Sequence, residues 1–303
     1  MPTELRVWRS LMYVPVNVEK YVDKAHTRGA DVIQLDLEDS VPPAEKDRAR
    51  TLIETAAARV RRGGADVVVR INRPLSLAVR DLEHSICPDV NAIACTKIDS
   101  ASHVKLLDEL VSEIEQKRGM RQGHTKFITM IETADAYARI DEIPRASERV
   151  VAMNIGGEDF ALDCDMQPDD DVLLHPKQRM IIAARAAGVM PLGFIGTVAG
   201  FGDWERFRTM VRRSRRFGFD GAGCIHPGQV TIVNEEYSPS QEEAAYARKI
   251  IELDKEAAKT GRGSFAVDGK MIDVPIIVRA QKLLARHEKI RKREAQTLAA
   301  MKG

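Results

Sequence analysis

The sequence predicts an α/β protein, a (β/α)8 TIM barrel followed by a C-terminal helical lid or exchange segment. Three observations predict it. Short apolar runs alternate with longer amphipathic segments in strict order. Strands separated by helices pair in parallel through right-handed crossovers, and such strands are near-continuously apolar because both faces are buried. About eight such units fit a closed barrel better than an open sheet, and 303 residues are enough for one.

Taken in order, Leu11–Val16 reads as the first strand and Val18–Thr27 as the helix after it. Asp31–Leu37 is the second strand. Pro42 and Pro43 open a helix with Leu52, Ile53, Ala56, Ala57 and Val60 on one face, proline being favoured in a first turn. Asp66–Ile71 is the third strand and Ala92–Ile98 the fourth. Val104–Ile114 is helical, with Leu106, Leu107, Leu110, Val111 and Ile114 on its apolar side. Lys126–Ile131 and Arg149–Ile155 are the fifth and sixth strands. Gly188 ends a helix over Arg179–Ala187, and Gly218 ends one over Trp204–Phe217. Met190–Val198 is the seventh strand and Ala222–Ile225 a short eighth. Residues 1–236 thus form the barrel catalytic domain, and residues 237–303 a lid or oligomerisation segment. In that segment Ser240 caps a helix over Gln241–Lys259, and Thr260–Ser264 is a glycine-bearing turn. Phe265–Pro275 is a hairpin or an ordered loop, and a last helix carries Ile276, Ile277, Ala280, Leu283, Leu284 and His287.

Composition narrows the function. The chain is 44% hydrophobic and 30% charged, with 46 Lys+Arg against 45 Asp+Glu. That balance argues against a nucleic-acid binder, which needs a basic excess. No stretch approaches the apolar length that spans a bilayer, and Met1–Ser10 lacks the apolar core of a signal peptide. Cys87, Cys95, Cys164 and Cys224 have no paired spacing, so reduced thiols and a cytoplasmic location are expected.

Charges recur where the apolar runs stop, at the C-terminal mouth where this fold places its chemistry. The second strand ends in Asp36-Leu-Glu38-Asp39, the third in Arg70-Ile-Asn72 and the fourth in Thr96-Lys97. The fifth ends in Glu132-Thr133, the sixth in Gly156-Gly157-Glu158-Asp159 and the eighth in His226-Pro227. Carboxylates outnumber cations in this ring. A hard divalent cation would relieve their repulsion, and oxygen-only donors point to Mg²⁺ or Mn²⁺. Glu132 and Asp159 are the candidate ligands, with Gly156-Gly157 allowing close backbone approach; each can alternatively cap the following helix. Arg70 is expected on a substrate anion, or as a structural partner of Asp36 or Glu38. Glu38 is expected to orient Arg70 or a water. His226 is either a substrate contact or a structural His-Pro turn. Lys97 also admits a Schiff-base mechanism.

Several motifs resemble the HpcH/HpaI aldolase and citrate lyase β-like family. They are Arg9-Ser-Leu-Met-Tyr-Val-Pro15, Leu35-Asp-Leu-Glu-Asp-Ser-Val-Pro-Pro-Ala-Glu-Lys46, Val69-Arg-Ile-Asn72 and Ile131-Glu-Thr-Ala134. Gly156-Gly-Glu-Asp-Phe-Ala161, Cys224-Ile-His-Pro-Gly-Gln229 and Tyr237-Ser-Pro-Ser240 continue the likeness. Gly269-Lys-Met-Ile-Asp-Val-Pro275 is similar to the C-terminal segment of the CoA-ester lyase branch, and the likeness runs from Arg9 to about Leu284. It implies a barrel assembled as a homotrimer or hexamer with shared sites. It implies Mg²⁺ on Glu132 and Asp159, Arg70 on the substrate, and Asp273 as an acid/base reaching a neighbouring subunit's site. The expected reaction cleaves or forms a β-hydroxyacyl-CoA, giving acetyl-CoA and a 2-oxo acid. The family's first loop often carries glycine and an arginine that helps hold CoA. This chain has Pro15-Val16-Asn17-Val18, with Lys20 or Lys24 left to supply the charge. Alternatives are a class II aldolase on free 4-hydroxy-2-oxo acids, a malyl-CoA thioesterase, and an accessory subunit needing an acyl-carrier partner.

Overall fold

The structure, a computed structural model, describes residues 6–196, 202–259 and 265–301. The chain divides into two compact units, built on Trp8–Tyr237 and on Ser238–Ala299.

In the first unit β1 (Ser10–Pro15) is followed by α1 (Glu19–Ala25), and β2 (Val32–Asp36) by α2 (Lys46–Thr51) and α3 (Ile53–Val60). The helix expected after Pro42 is thus broken at Leu52, yet Ile53, Ala56, Ala57 and Val60 are buried as its pattern requires. Then come β3 (Asp66–Ile71), α4 (Leu75–Ser85), β4 (Ala92–Cys95), α5 (Ala101–Lys117), β5 (Lys126–Ile131) and α6 (Ala134–Ala138). β6 (Val150–Ile155) precedes α7 (Gly157–Asp163) and α8 (Asp170–Ala187). β7 (Met190–Pro191), α9 (Trp204–Phe217), β8 (Ala222–Cys224) and α10 (Pro227–Glu236) complete the unit. Gly188 and Gly218 end α8 and α9 in the left-handed conformation, at φ 73° and 113°.

α8, β4 and β7 also differ from expectation. α8 begins nine residues before Arg179, because the Asp169 carboxylate accepts from the N–H groups of Asp171 and Val172 and starts the helix there. Pro176 is carried inside it. β4 stops at Cys95, and Lys97 turns the chain with φ 47°. β7 has two residues, and Gly193, two positions beyond its end, has φ 137°. Residues 197 and 198 of the expected seventh strand lie outside the described residues, as do Thr260–Ser264.

The strands form one sheet in the order β7-β6-β5-β4-β3-β2-β1-β8. Every pairing is parallel. Beyond β7 and before β8, Leu192 and Gly221 make an isolated parallel bridge. Gly193 N–H donates to Gly221 O (2.8 Å), and Asp220 N–H to Pro191 O (3.0 Å). The large apolar cluster lies between sheet and helices, with Ile33, Leu35, Val67, Val69, Ile93 and Phe127 among its strand residues. A second cluster joins Leu11, Val32, Val68, Ala94, Ile128, Ala152 and Met190 from seven strands, so the other face curls upon itself. At the strands' N-terminal ends, Arg9 pairs with buried Asp31 (2.9 Å). Ser10 Oγ donates to Asn234 Oδ1 (2.7 Å), and Asn234 Nδ2 to Gly29 O (2.8 Å), tying the first strand to α10.

In the second unit Ser240 and Glu243 cap α11 (Gln241–Lys259) reciprocally: Ser240 Oγ accepts from Glu243 N–H and Glu243 Oε2 from Ser240 N–H. β9 (Phe265–Val267) and β10 (Lys270–Ile272) form an antiparallel hairpin turning at Asp268-Gly269, both at positive φ. α12 (Val274–Ala300) follows. Ala247, Ile250, Val267, Ile272, Ile277 and Ala280 make this unit's core.

Candidate active site

Strand register builds the site. Asp36, last in β2, pairs in register with Arg70 of β3. Arg70 Nε donates to Asp36 Oδ1 and Nη2 to Oδ2, both at 2.7 Å. The same carboxylate accepts from the N–H groups of Glu38 (3.0 Å) and Ser40 (3.2 Å). Burial alone would raise the Asp36 carboxyl, but the hydrogen bonds and charge of Arg70 outweigh it and hold it below the usual range. Asp36 is therefore a permanent clamp on one edge of the guanidinium. The guanidinium also lies 5.0 Å from the Tyr13 ring centre. Its Nη1 turns to Glu38 Oε2 (2.6 Å) and Asp39 Oδ2 (3.3 Å).

The turn that carries Glu38 is held from below. Lys46 Nζ donates to Leu37 O (2.8 Å) and Glu38 O (2.9 Å), and Asn72 Nδ2 donates to Leu37 O (2.9 Å). Buried Asp81 on α4 accepts from Asn72 and from Arg50. Burial pushes the Glu38 carboxyl up, against the pull of Arg70.

Lys97 is the hub of the other half. Its N–H donates to Glu132 Oε2 (2.6 Å). Its ammonium lies 3.1 Å from Glu38 Oε1 and 3.1 Å from Asp159 Oδ1. Those charges and that of Glu132 overcome burial and keep its proton more firmly held than usual. Glu132 is only 2% exposed. Burial, reinforced by Glu38 and Asp159, outweighs Lys97 and pushes its carboxyl up to about 7. Gly156 is required here, since a Cβ would sit 2.7 Å from Glu132 Cγ. Glu132 does not cap α6; Thr133 does, accepting from Ala136 N–H (3.1 Å). Asp159 sits in the first turn of α7, after the cap residue Gly156.

Glu38, Arg70, Lys97, Glu132 and Asp159 thus converge from the ends of five neighbouring strands. Glu132 and Asp159 present hard oxygen donors, one of them buried and reluctant to ionise. Among the described residues no three His, Cys, Asp or Glu side chains gather into a metal cage. A buried carboxylate with a partly exposed aspartate close by fits Mg²⁺, which takes one or two protein carboxylates and leaves its other positions to water and substrate.

The profile of the HpcH/HpaI aldolase/citrate lyase family matches residues 9–227. The chain belongs to that family. It is 33% identical to the citrate lyase subunit beta of Leuconostoc mesenteroides subsp. cremoris, over 92% of this chain and 93% of that protein. It is 32% identical to the L-malyl-CoA/beta-methylmalyl-CoA lyase of Cereibacter sphaeroides (strain ATCC 17025), over 95% and 97%. It also resembles the crystal structure of protein CitE from Mycobacterium tuberculosis in complex with magnesium, acetoacetate and coenzyme A. That likeness has a TM-score of 0.73 and 28% identity, over 92% of this chain and 97% of that one. These relatives make this family member a carbon–carbon lyase.

The remaining candidates are on other elements. Lys20 and Lys24 are exposed on α1, Lys20 Nζ being 5.1 Å from the Tyr21 ring. His226 caps α10, its Nδ1 accepting from Gly228 N–H (3.0 Å), and its ring lies 5.7 Å from that of Trp204. Asp273 belongs to the second unit, exposed at the start of α12, its carbonyl accepting from Ile276 and Ile277 N–H (3.1 Å each). Sequence reasoning missed Lys46 and Asp81. The signal for Asp81 was a charge on the apolar stripe of α4, a helix it had not assigned.

Proposed function

We propose that the chain is a Mg²⁺-dependent CoA-ester lyase on a (β/α)8 barrel. It cleaves or forms malyl-CoA, citramalyl-CoA or citryl-CoA, with acetyl-CoA and a 2-oxo acid as the other side of the reaction. The convergence of Glu132 and Asp159 beside the clamped Arg70 carries the reading. The Leu192–Gly221 bridge supports a sheet that meets itself as a barrel. The CoA-ester lyase and the magnesium-bearing CitE complex among the relatives support the substrate class and the ion.

Glu132 and Asp159 would hold the ion, which supplies Lewis-acid stabilisation of charge on the 2-oxo acid's carbonyl oxygen. Arg70, with its Nε–Nη2 edge fixed by Asp36, offers Nη1 to the substrate's carboxylate or carbonyl oxygen. Glu38 meets that same Nη1 and keeps it aimed. Asp273, reaching from a neighbouring subunit of a trimer or hexamer, takes a proton from the acetyl methyl in condensation and returns it in cleavage. The Phe265–Pro275 hairpin serves as the lid that keeps water from quenching the acetyl carbanion. Lys20 or Lys24 contacts the carrier's phosphates, His226 contacts the substrate, and the enzyme works in the cytoplasm.

A class II aldolase on free 4-hydroxy-2-oxo acids is the second reading, favoured by Pro15-Val16-Asn17-Val18 in the first loop. A screen of malyl-, citramalyl- and citryl-CoA with Mg²⁺ tests both. Paired release of acetyl-CoA and a 2-oxo acid by the purified chain is expected. Turnover of free 4-hydroxy-2-oxo acids alone would replace the lyase reading with the aldolase. Release of CoA with intact malate would make it a thioesterase, and turnover only with an acyl-carrier protein an accessory subunit.

A further inference from the structure

We infer that the ammonium group of Lys97 is a resident counter-ion that an entering divalent cation displaces, so that Lys97 sets the protein's metal affinity. The inference rests on Glu132 and Asp159 being the metal ligands.

Two contributions from one residue carry it. The backbone N–H of Lys97 fixes Glu132 Oε2 at 2.6 Å. The side chain returns to place Nζ 3.1 Å from Asp159 Oδ1 and 3.1 Å from Glu38 Oε1. Both happen together because Lys97 adopts φ 47°, a conformation that few residues with a Cβ take up. The ammonium thus already satisfies an oxygen of one proposed ligand, from a residue that orients the other. A cation binding to Asp159 has to compete with it. Glu38 is the natural acceptor for the released ammonium, since its Oε1 is already bonded to it and its Oε2 faces Arg70.

A merely structural Lys97 and a competing Lys97 predict opposite signs. If Lys97 only assembled the carboxylates, neutralising it would scatter them and weaken metal binding. If it competes, neutralising it strengthens binding. The test is Mn²⁺ titration of the full, EDTA-treated chain by calorimetry, with free Mn²⁺ followed by electron paramagnetic resonance. Lys97→Met keeps the backbone donor and should bind Mn²⁺ on the order of tenfold tighter than wild type, as loss of one close like charge implies. Lys97→Asn is a second neutral variant whose side chain tolerates the left-handed backbone, and thermal unfolding verifies the fold of both. Lys97→Arg keeps the charge and should stay within about threefold of wild type. Equal or weaker binding by both neutral variants, with wild type binding normally, overturns the inference and leaves the ligand assignment standing. Absence of binding in wild type and in both neutral variants, or unchanged binding in Glu132→Gln, overturns the ligand assignment and the inference with it.

Discussion

Glu132 offers a measurable link between the candidate site and stability. Its carboxyl ionises near 4.5 when exposed and is pushed up to about 7 in the fold. Below the lower value both states hold the proton and Glu132 costs nothing. Between the two the folded state keeps a proton that the unfolded chain gives up, so stability falls as pH rises. Above about 7 both are ionised and the penalty is complete, about 3 kcal/mol. Between about pH 5 and about pH 8 the metal-free protein should lose about 2–3 kcal/mol through this one group. Glu132→Gln removes the titration and keeps an oxygen for the Lys97 N–H. The assay is urea unfolding of both proteins in EDTA at the two pH values, followed by fluorescence, to which the fully buried Trp8 contributes. The stability of wild type minus that of the variant should fall by about 2–3 kcal/mol from the lower to the higher pH. Saturating Mg²⁺ at the higher pH should stabilise wild type alone. Parallel stabilities at both values would refute the assignment of a destabilised, buried carboxylate.

Other perturbations reach the same site from different sides. Gly156→Ala places a methyl 2.7 Å from Glu132 Cγ, and should lower stability by about 1–3 kcal/mol in chemical denaturation while weakening Mn²⁺ binding. Asp36→Asn releases the clamp on Arg70 and should lower kcat/KM by roughly tenfold to a hundredfold, the scale of a charged hydrogen bond lost. Asp273→Asn should reduce kcat far more than it changes KM; mixing it with inactive Arg70→Ala should restore part of the activity. Normal turnover in Asp273→Asn would remove Asp273 from the chemistry, and a wild-type monomer with normal activity would remove the shared site.

The parts of the fold that were legible are those where burial and periodicity agree. β3 and β5 carry the bounds that their apolar runs imply, because strands buried on both faces leave few polar interruptions. α4 was invisible because Arg80, Asp81 and His84 interrupt its pattern, and Asp81 is buried for a polar reason, as the acceptor for Asn72 and Arg50. The early start of α8 was hidden by Pro176, which reads as a boundary, whereas the cap at Asp169 decides. In the site, Glu38, Arg70, Glu132 and Asp159 were readable as charges with no place on buried strands. The division of labour was readable only in part. Arg70 as a partner of Asp36 or Glu38 was one of two open readings, and strand register makes Asp36 the clamp; that Lys97 serves Glu132 through its backbone depends on a left-handed residue that no local pattern announces.

The order of the sheet also constrains how the chain is made. β1 lies between β2 and β8, and Ser10 is tied to Asn234 across most of the sequence. During synthesis the first strand can find β2 early, but its other edge stays open until residues 222–224 leave the ribosome. A nascent chain therefore carries a sticky, apolar border for most of its translation, the kind of surface that recruits chaperones or seeds inclusion bodies. Truncations that end before β8 should be recovered from the insoluble fraction.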